Sequence, residues 1–241
     1  MKIKLLILIF VGLTIESFGQ NLRVGFGFVN QMSFSNSVVQ LDSVKVFENR
    51  QQQSFDLMPY FKLEWPITER FNSNLGVQFY KSAVFLTTNY RSDFFPETIP
   101  SISKGWSTPI YNLEFPIGLS YTLVKKKQFR VFLEFSAVPV WSIQNFTPFD
   151  IDVPQGIDWT QEILDVINAV ETIPNPFYMN YQYGISMEYK RFGLTLFRSE
   201  NMSRSISTDY HLYEKSYNFQ RRIQSTRFGI YYSLELKKEK N

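Results

Sequence analysis

Hydrophobic and polar residues alternate without interruption over residues 111–123. The odd positions, from Tyr111 to Leu123, are all large and apolar or aromatic, and the even positions between them are polar, small or proline. Strict alternation with a period of two residues predicts a β-strand with one apolar face and one polar face.

Segments with this alternation occur eight times along the chain, which predicts eight β-strands. They are residues 22–35, 55–65, 75–89, 111–123, 129–142, 178–189, 192–199 and 226–236. Several exceed ten residues, enough for a tilted strand to cross a bilayer. Continued alternation in the third and seventh strands places Lys81 and Arg198 on the apolar face. Either a β-bulge resets the alternation there or the side chains extend to the rim, and both explanations remain open.

The connections between the strands alternate between short and long. The short ones are residues 66–74, 124–128 and 190–191, and the long ones are residues 36–54, 90–108, 143–177 and 200–225. This alternation predicts an antiparallel up-and-down transmembrane β-barrel with tight periplasmic turns, longer outer loops and both termini on the periplasmic side. Helical spacing of apolar residues predicts one short helix over residues 159–173 in the third outer loop, ended by Pro174.

Glycines on the polar face indicate which face points inward. They are Gly25, Gly27, Gly76, Gly118, Gly184, Gly193 and Gly229. A surface in water has no need of glycine, whereas the narrow interior of an eight-stranded barrel needs small residues beside large ones. The polar face is therefore predicted to line the lumen and the apolar face to contact lipid. A soluble β-sandwich with ordinary core and surface positions remains the alternative.

Ionisable residues also lie on the predicted inner face. They are Arg23, Asp56, Lys62, Glu64, Glu114, Arg130, Glu134, Glu188, Arg227 and Glu235. Charges removed from water need partners, so these residues are predicted to form a structural polar network across the lumen.

The N-terminal residues have the features of an export signal. Lys2 and Lys4 precede an apolar run that is too short to span a bilayer as a helix, and small residues precede a cleavage site after Gly19. We therefore expect a signal peptide over residues 1–19 and a single barrel domain over residues 20–241, in the cell outer membrane. The formal net charge of +3 gives no support to nucleic-acid binding, and the absence of cysteine excludes disulfide and thiolate chemistry.

Candidate catalytic and metal-binding residues are few. His211, the only histidine, lies near Ser207 and Asp209 in one predicted loop, but three neighbours in a loop do not make a catalytic triad. The third outer loop is acidic, and clustered carboxylates are ligands for calcium, but Pro154 and Gln155 break the EF-hand template. We therefore expect no catalytic residues, no metal site and no cofactor.

Basic residues cluster at the predicted periplasmic rim. The clusters are residues 125–127, 190–191 and 237–240. They are suited to pairing with anionic lipid headgroups, although simple solubility of the turns explains them equally well.

Two hairpins resemble those of the Bacteroidetes-type outer-membrane β-barrel family. The first is GWSTPIYNLEFPIGLSYTLVKKKQFRVFLEFSAVPVW, residues 105–141, and the second is GISMEYKRFGLTLFRSENMS, residues 184–203. The resemblance covers most of the chain in its layout and implies an eight-stranded outer-membrane barrel without a single shared activity. The PorT-like subunits of type IX secretion have a similar segment, here Ser107, Thr108, Glu114, Phe115 and Pro116.

The sequence thus favours an outer-membrane barrel with a packed lumen and a structural or accessory role in an envelope protein complex, in keeping with a secretion-related function. Its expected partners are outer-membrane lipid, lipopolysaccharide and an envelope protein bound through the outer loops or the periplasmic rim. Two alternatives remain open. One is a barrel that passes or binds small apolar molecules, in which Phe94, Phe95, Phe146 and Phe149 would line a cavity, and the other is a lipid-modifying enzyme that uses His211.

Overall fold

The computed structural model describes residues 20–35, 39–40, 44–48, 54–90, 102–144, 177–212 and 215–236. Every element in these ranges is a β-strand. The strands are β1 (Gln20–Ser35), β2 (Val39–Gln40), β3 (Val44–Glu48), β4 (Ser54–Pro66), β5 (Phe71–Tyr90), β6 (Ile102–Glu114), β7 (Ile117–Lys125), β8 (Phe129–Gln144), β9 (Phe177–Tyr189), β10 (Phe192–Asn201), β11 (Ile206–Leu212) and β12 (Lys215–Leu236). No helix among the described residues is long and apolar enough to cross a membrane.

The strands form a closed antiparallel barrel of eight barrel strands, as predicted. Each strand pairs with its neighbour in the chain, and the barrel closes where β1 pairs with β12, from Gln20 opposite Leu236 to Ser35 opposite Arg221. β6 and β7 together make the fourth barrel strand, because both pair with β5 on one side and with β8 on the other. The remaining strands, β2, β3 and β11, extend the wall beyond the barrel at the end opposite the tight turns.

A break at Phe115 and Pro116 divides β6 from β7. Proline has no N–H to donate to a ladder, which explains why the strand is interrupted there. The wall stays bonded nonetheless: the Gly76 N–H donates to the Pro116 carbonyl at 2.8 Å, and the Phe115 N–H donates to the Pro139 carbonyl at 2.9 Å.

Several predicted strand boundaries were wrong. β5 begins at Phe71 rather than at residue 75, so the first tight turn is only residues 67–70. The predicted long loop 200–225 is largely a hairpin, since β11 pairs with the first part of β12 from Ile206 opposite Arg221 to Leu212 opposite Lys215. Three predicted features lie outside the described residues: the signal peptide 1–19, the helix 159–173 and the basic residues 237–240.

Side chains point alternately inward and outward along the barrel strands. In β10, for example, Phe192, Leu194 and Leu196 are exposed on the outside. Lys81 and Arg198 keep their place in the alternation and lie on the outer face, and the ladders beside them continue without a register shift. No β-bulge therefore resets the alternation at these two cations, which remain on the outer face. Among the described ladders, a register irregularity lies between Thr122 and Val124, in the pairing of β7 with β8.

Candidate functional site

Polar side chains from the eight barrel strands meet inside the barrel. We call the end with the tight turns 67–70, 126–128 and 190–191 the lower end, and the opposite end the upper end. Two groups of ion-paired side chains lie in the lumen at different heights, and buried Arg221 lies further toward the upper end. The lower cluster consists of Arg23, Lys62, Glu64, Arg130, Glu134 and Glu188, and the upper pair consists of Arg227 and Glu114.

Arg23 is the centre of the lower cluster. Its guanidinium, only 1% exposed, lies 2.9 Å from a carboxylate oxygen of Glu64 and 2.9 Å from one of Glu134. The carboxylate of Glu188 is 3.9 Å from Nε of the same arginine. One cation from β1 therefore contacts acidic groups from β4, β8 and β9, across the full width of the lumen.

Two further cations complete the lower cluster. Lys62 Nζ lies 3.1 Å from Glu64 and also donates to Glu134, while Arg130 donates to Glu188. The hydroxyl of Ser186 donates to Glu134 at 2.5 Å. Three cations thus face three carboxylates, and each carboxylate contacts two of the cations.

Aromatic rings pack against the Arg23 guanidinium. Its central carbon lies 4.6 Å from the centroid of the Tyr231 ring and 4.7 Å from that of Phe132. The Tyr231 hydroxyl donates to Glu188 at 3.3 Å. A Cβ on Gly193 would overlap the Tyr231 ring, so glycine at this position leaves room for the tyrosine inside the wall.

The upper pair is a two-point contact between one cation and one carboxylate. Both terminal nitrogens of Arg227 donate to Glu114, one of them at 2.9 Å. Neutral groups accept the other hydrogen bonds of the guanidinium. It donates to Gln78 at 2.8 Å, to Gln182 at 3.1 Å and to Ser225 at 3.1 Å. Arg227 and Glu114 are 1% and 0% exposed.

Uncharged hydrogen bonds fill the lumen above this pair. The amide of Asn112 donates to Ser82 at 2.8 Å, and its carbonyl oxygen accepts from Ser142 at 2.8 Å and from Tyr178 at 3.3 Å. Val29, Met58, Tyr60, Tyr80 and Tyr231 form a buried apolar cluster along one side of the lumen. The lumen is therefore filled by side chains at several heights.

The structure brings together most of the predicted network residues, but as two separate groups. Asp56 is half-buried on β4, beyond Met58 toward the upper end. The prediction for Glu235 was wrong: it is exposed at the end of β12, because alternation gives the direction of a side chain but not its depth in the barrel.

Arg221, 2% exposed on β12, was missed because it lies in the predicted loop 200–225, and several other lumen residues were missed because they are neutral. Tyr80, Tyr231, Gln78, Gln182 and Asn112 all contact the charged or polar clusters described above. Their inward position in the alternation was available from the sequence, but only charged residues were included in the predicted network.

The residues considered for catalysis lie in a described strand, whereas those considered for metal binding lie outside the described residues. Ser207, Asp209 and His211 lie in β11, where they pair with Gln220, Asn218 and Ser216. The acidic third loop and the four loop phenylalanines lie outside the described residues. Within the described ranges, no group of three acidic or histidine residues is placed to hold a metal ion.

The outer face of the barrel is apolar over its whole circumference. Exposed outward residues come from every barrel strand, and they include Phe26, Leu57, Phe79, Leu119, Phe135, Ile185, Leu196 and Phe228. Trp65, Phe71 and Tyr121 lie near the lower end of this surface, and Tyr111 and Trp141 lie nearer the upper end. Apolar exposure on this scale is found where the surrounding medium is lipid or another protein.

Arginines of two tight turns are held by tyrosines of the outer face. Arg70 donates to the Tyr121 hydroxyl at 3.2 Å, and Arg191 donates to the Tyr232 hydroxyl at 3.4 Å. These hydrogen bonds raise the pKa of Arg70 and of Arg191, two arginines of the lower rim.

Three solved structures are similar in architecture. The outer membrane protein OprG from Pseudomonas aeruginosa is 9% identical, with 91% of this chain and 97% of that chain covered and a TM-score of 0.49. The outer membrane protein AlkL is 9% identical (94% and 95% covered, TM-score 0.45), and Neisserial surface protein A is 7% identical (88% and 96% covered, TM-score 0.42). Likeness at this level says nothing about what this chain binds or does.

No protein-family model matches the sequence, and no curated protein matches it. The resemblance to the Bacteroidetes-type family and to PorT-like subunits therefore stays a prediction. The fold and its orientation follow from the chain itself: a closed barrel with an apolar outer belt, a charged interior and tight turns at one end has the anatomy of an outer-membrane β-barrel. These features place the protein in the cell outer membrane.

Proposed function

We propose that the protein is a structural or accessory barrel of the outer membrane that passes no solute through its lumen and engages another envelope protein. The observation that carries this proposal is the filled lumen. The lower cluster and the upper pair both cross the interior, and Arg23, Glu114, Glu188 and Arg227 are each 1% exposed or less. An eight-stranded barrel filled by its own side chains leaves no broad aqueous channel.

The long strands support a role in protein contacts. A tilted strand needs about 9–11 residues to cross the bilayer. β5 has 20 residues and β12 has 22, and both extend at the upper end. There β3 and β6 pair with β5, and β11 pairs with β12, so paired strands form a wall that projects above the membrane. A projecting β-wall offers a surface for a partner protein.

The lipid-facing assignment can be tested at two adjacent residues. Leu119 is 49% exposed on the outer face and Ser120 is 1% exposed inside. The chain has no cysteine, so a fluorescent label on Leu119→Cys or Ser120→Cys is specific. Brominated lipids are expected to quench the label at position 119 and not at position 120. The reverse pattern would show that the polar face contacts lipid, and it would contradict the assignment of the two faces.

The partner proposal is tested by shortening the projecting hairpin. Ser207 pairs with Gln220, so residues 208–219 can be replaced by an Asn-Gly turn without changing the barrel below. Tagged full-length protein, purified from native membranes, is expected to retain a partner at fixed stoichiometry, and the shortened variant is expected to lose it.

Heat-modifiable migration of both proteins on gels is the control for correct folding. Absence of a stoichiometric partner on the full-length chain contradicts the accessory role. Large, stable current steps in planar bilayers contradict the closed lumen, and they would favour passage of solutes instead.

A further inference from the structure

An apolar groove of about 730 Å³ lies on the outer face at the lower end of the barrel. It crosses the wall from β8 over β9, β10 and β12 to β1. Outward side chains form its walls, among them Met187, Tyr189, Phe192, Leu194, Ile230 and Tyr232. Gly25 and Gly193 also border the groove; they are inward positions, so only their backbone faces it, between the outward side chains on either side. Its volume is within the range of pockets that hold small organic ligands.

Two cations lie at one end of this groove, in the turn between β9 and β10. Lys190 Nζ is 5.5 Å from the ring centroid of Tyr189, and Arg191 donates to the hydroxyl of Tyr232 at 3.4 Å. Both tyrosines line the groove. The cations are thus held against the groove rather than directed away from it.

The geometry points to a binding site for an anionic phospholipid, with one acyl chain in the groove and the phosphate between Lys190 and Arg191. The proposal rests on the membrane-spanning orientation described above. A ligand that matches the site needs a long apolar body and a single anionic end, because Lys190 and Arg191 lie together at one end of the groove. Arginine and lysine both bind phosphate, arginine through a planar donor pair.

The position of the groove along the barrel determines which membrane lipid can reach it. The lower end carries the tight turns, which face the periplasm in outer-membrane barrels. Phospholipid of the periplasmic leaflet therefore reaches the groove, whereas lipopolysaccharide lies at the opposite end. Glu235 is an acidic group near Arg191. Glu188 also borders the groove, but it faces the lumen and pairs there with Arg130. One exposed acidic group against Lys190 and Arg191 leaves a net positive charge for the phosphate.

The headgroup contact is tested by the double variant Lys190→Gln/Arg191→Gln. Each cation near a membrane surface contributes an attraction that corresponds to about a fivefold change in affinity, so the double variant is expected to bind phosphatidylglycerol about thirtyfold more weakly. Native mass spectrometry of the full chain, titrated with phosphatidylglycerol and with phosphatidylethanolamine, measures the first binding event. Arg70→Gln is the matched control, because Arg70 makes the same contact with a tyrosine, Tyr121, outside the groove.

The acyl-chain contact is tested by filling the groove. Leu194→Trp places a bulky ring in it, and Leu119→Trp is the control on the same outer face, because the two leucines are 47% and 49% exposed. The Leu194 variant is expected to lose most of the bound phosphatidylglycerol, and the Leu119 variant is expected to keep it.

The outcomes separate this inference from the proposed function. Selective loss in the Lys190/Arg191 and Leu194 variants, with normal heat-modifiable migration, supports the site. Equal loss in the Arg70→Gln variant, or equal affinity for the two lipids, overturns it and leaves only general attraction at the rim. A dimer mass without lipid would show that a second copy of the chain occupies the groove, which also overturns it. None of these results depends on whether an envelope partner exists.

Discussion

The buried charges of the lower cluster and of the upper pair are compensated in different ways. In the lower cluster each carboxylate contacts two cations, so no carboxylate depends on a single cation. In the upper pair, Arg227 and Glu114 depend on each other for charge compensation, and neutral amides and hydroxyls satisfy the remaining donors. The comparison indicates that loss of one charge lowers the free energy of unfolding more in the upper pair than in the lower cluster, although the upper pair contains fewer charges.

The largest effect is expected from Arg227→Met. The substitution leaves the Glu114 carboxylate buried without a cation, and breaking a buried pair in this way costs about 3–5 kcal/mol. Urea unfolding in lipid vesicles, followed by tryptophan fluorescence, measures the free energy of unfolding. Adding Glu114→Gln removes the second charge, so the double variant is expected to recover most of the loss. A cost below about 1.5 kcal/mol for Arg227→Met, which is the level of one ordinary hydrogen bond, would contradict the comparison.

A smaller effect is expected from Glu134→Gln in the lower cluster. Arg23 keeps Glu64 and Glu188, and Lys62 keeps Glu64, so the loss is that of charge-assisted hydrogen bonds, about 2 kcal/mol. Glu235→Gln is the control, because this exposed residue is expected to change stability by less than about 0.5 kcal/mol. A loss as large as that of Arg227→Met would show that the multiple contacts of the lower cluster give no protection.

The smallest effect is expected from Ser142→Ala, above the upper pair. It removes one neutral hydrogen bond to Asn112, whose carbonyl oxygen still accepts from Tyr178. The expected loss is about 1 kcal/mol in the same unfolding measurement. A larger loss would mean that the neutral cluster and the upper pair act as one cooperative unit.

The sequence predicts the strands and their faces because a barrel wall requires alternation at every step. It predicts that Arg23 and Glu134 share the lumen, since both lie on inward positions. It does not predict that they touch, because contact across the lumen depends on the tilt of strands that are separated by more than a hundred residues. The hairpin of β11 and β12 was missed because it projects above the membrane, where no apolar face is required.

The pairing of the first and last strands has a consequence for assembly. Among the described strands β1 comes first in the chain and its partner β12 comes last, so one edge of β1 stays unpaired until β12 has been made and exported. An open edge of this length is a template for incorrect pairing, and contacts between distant parts of a chain form slowly. We therefore expect the nascent protein to need protection on its way through the periplasm. Truncation before β12 would leave an open sheet whose charged inner face is never enclosed, and we expect such a chain not to insert stably.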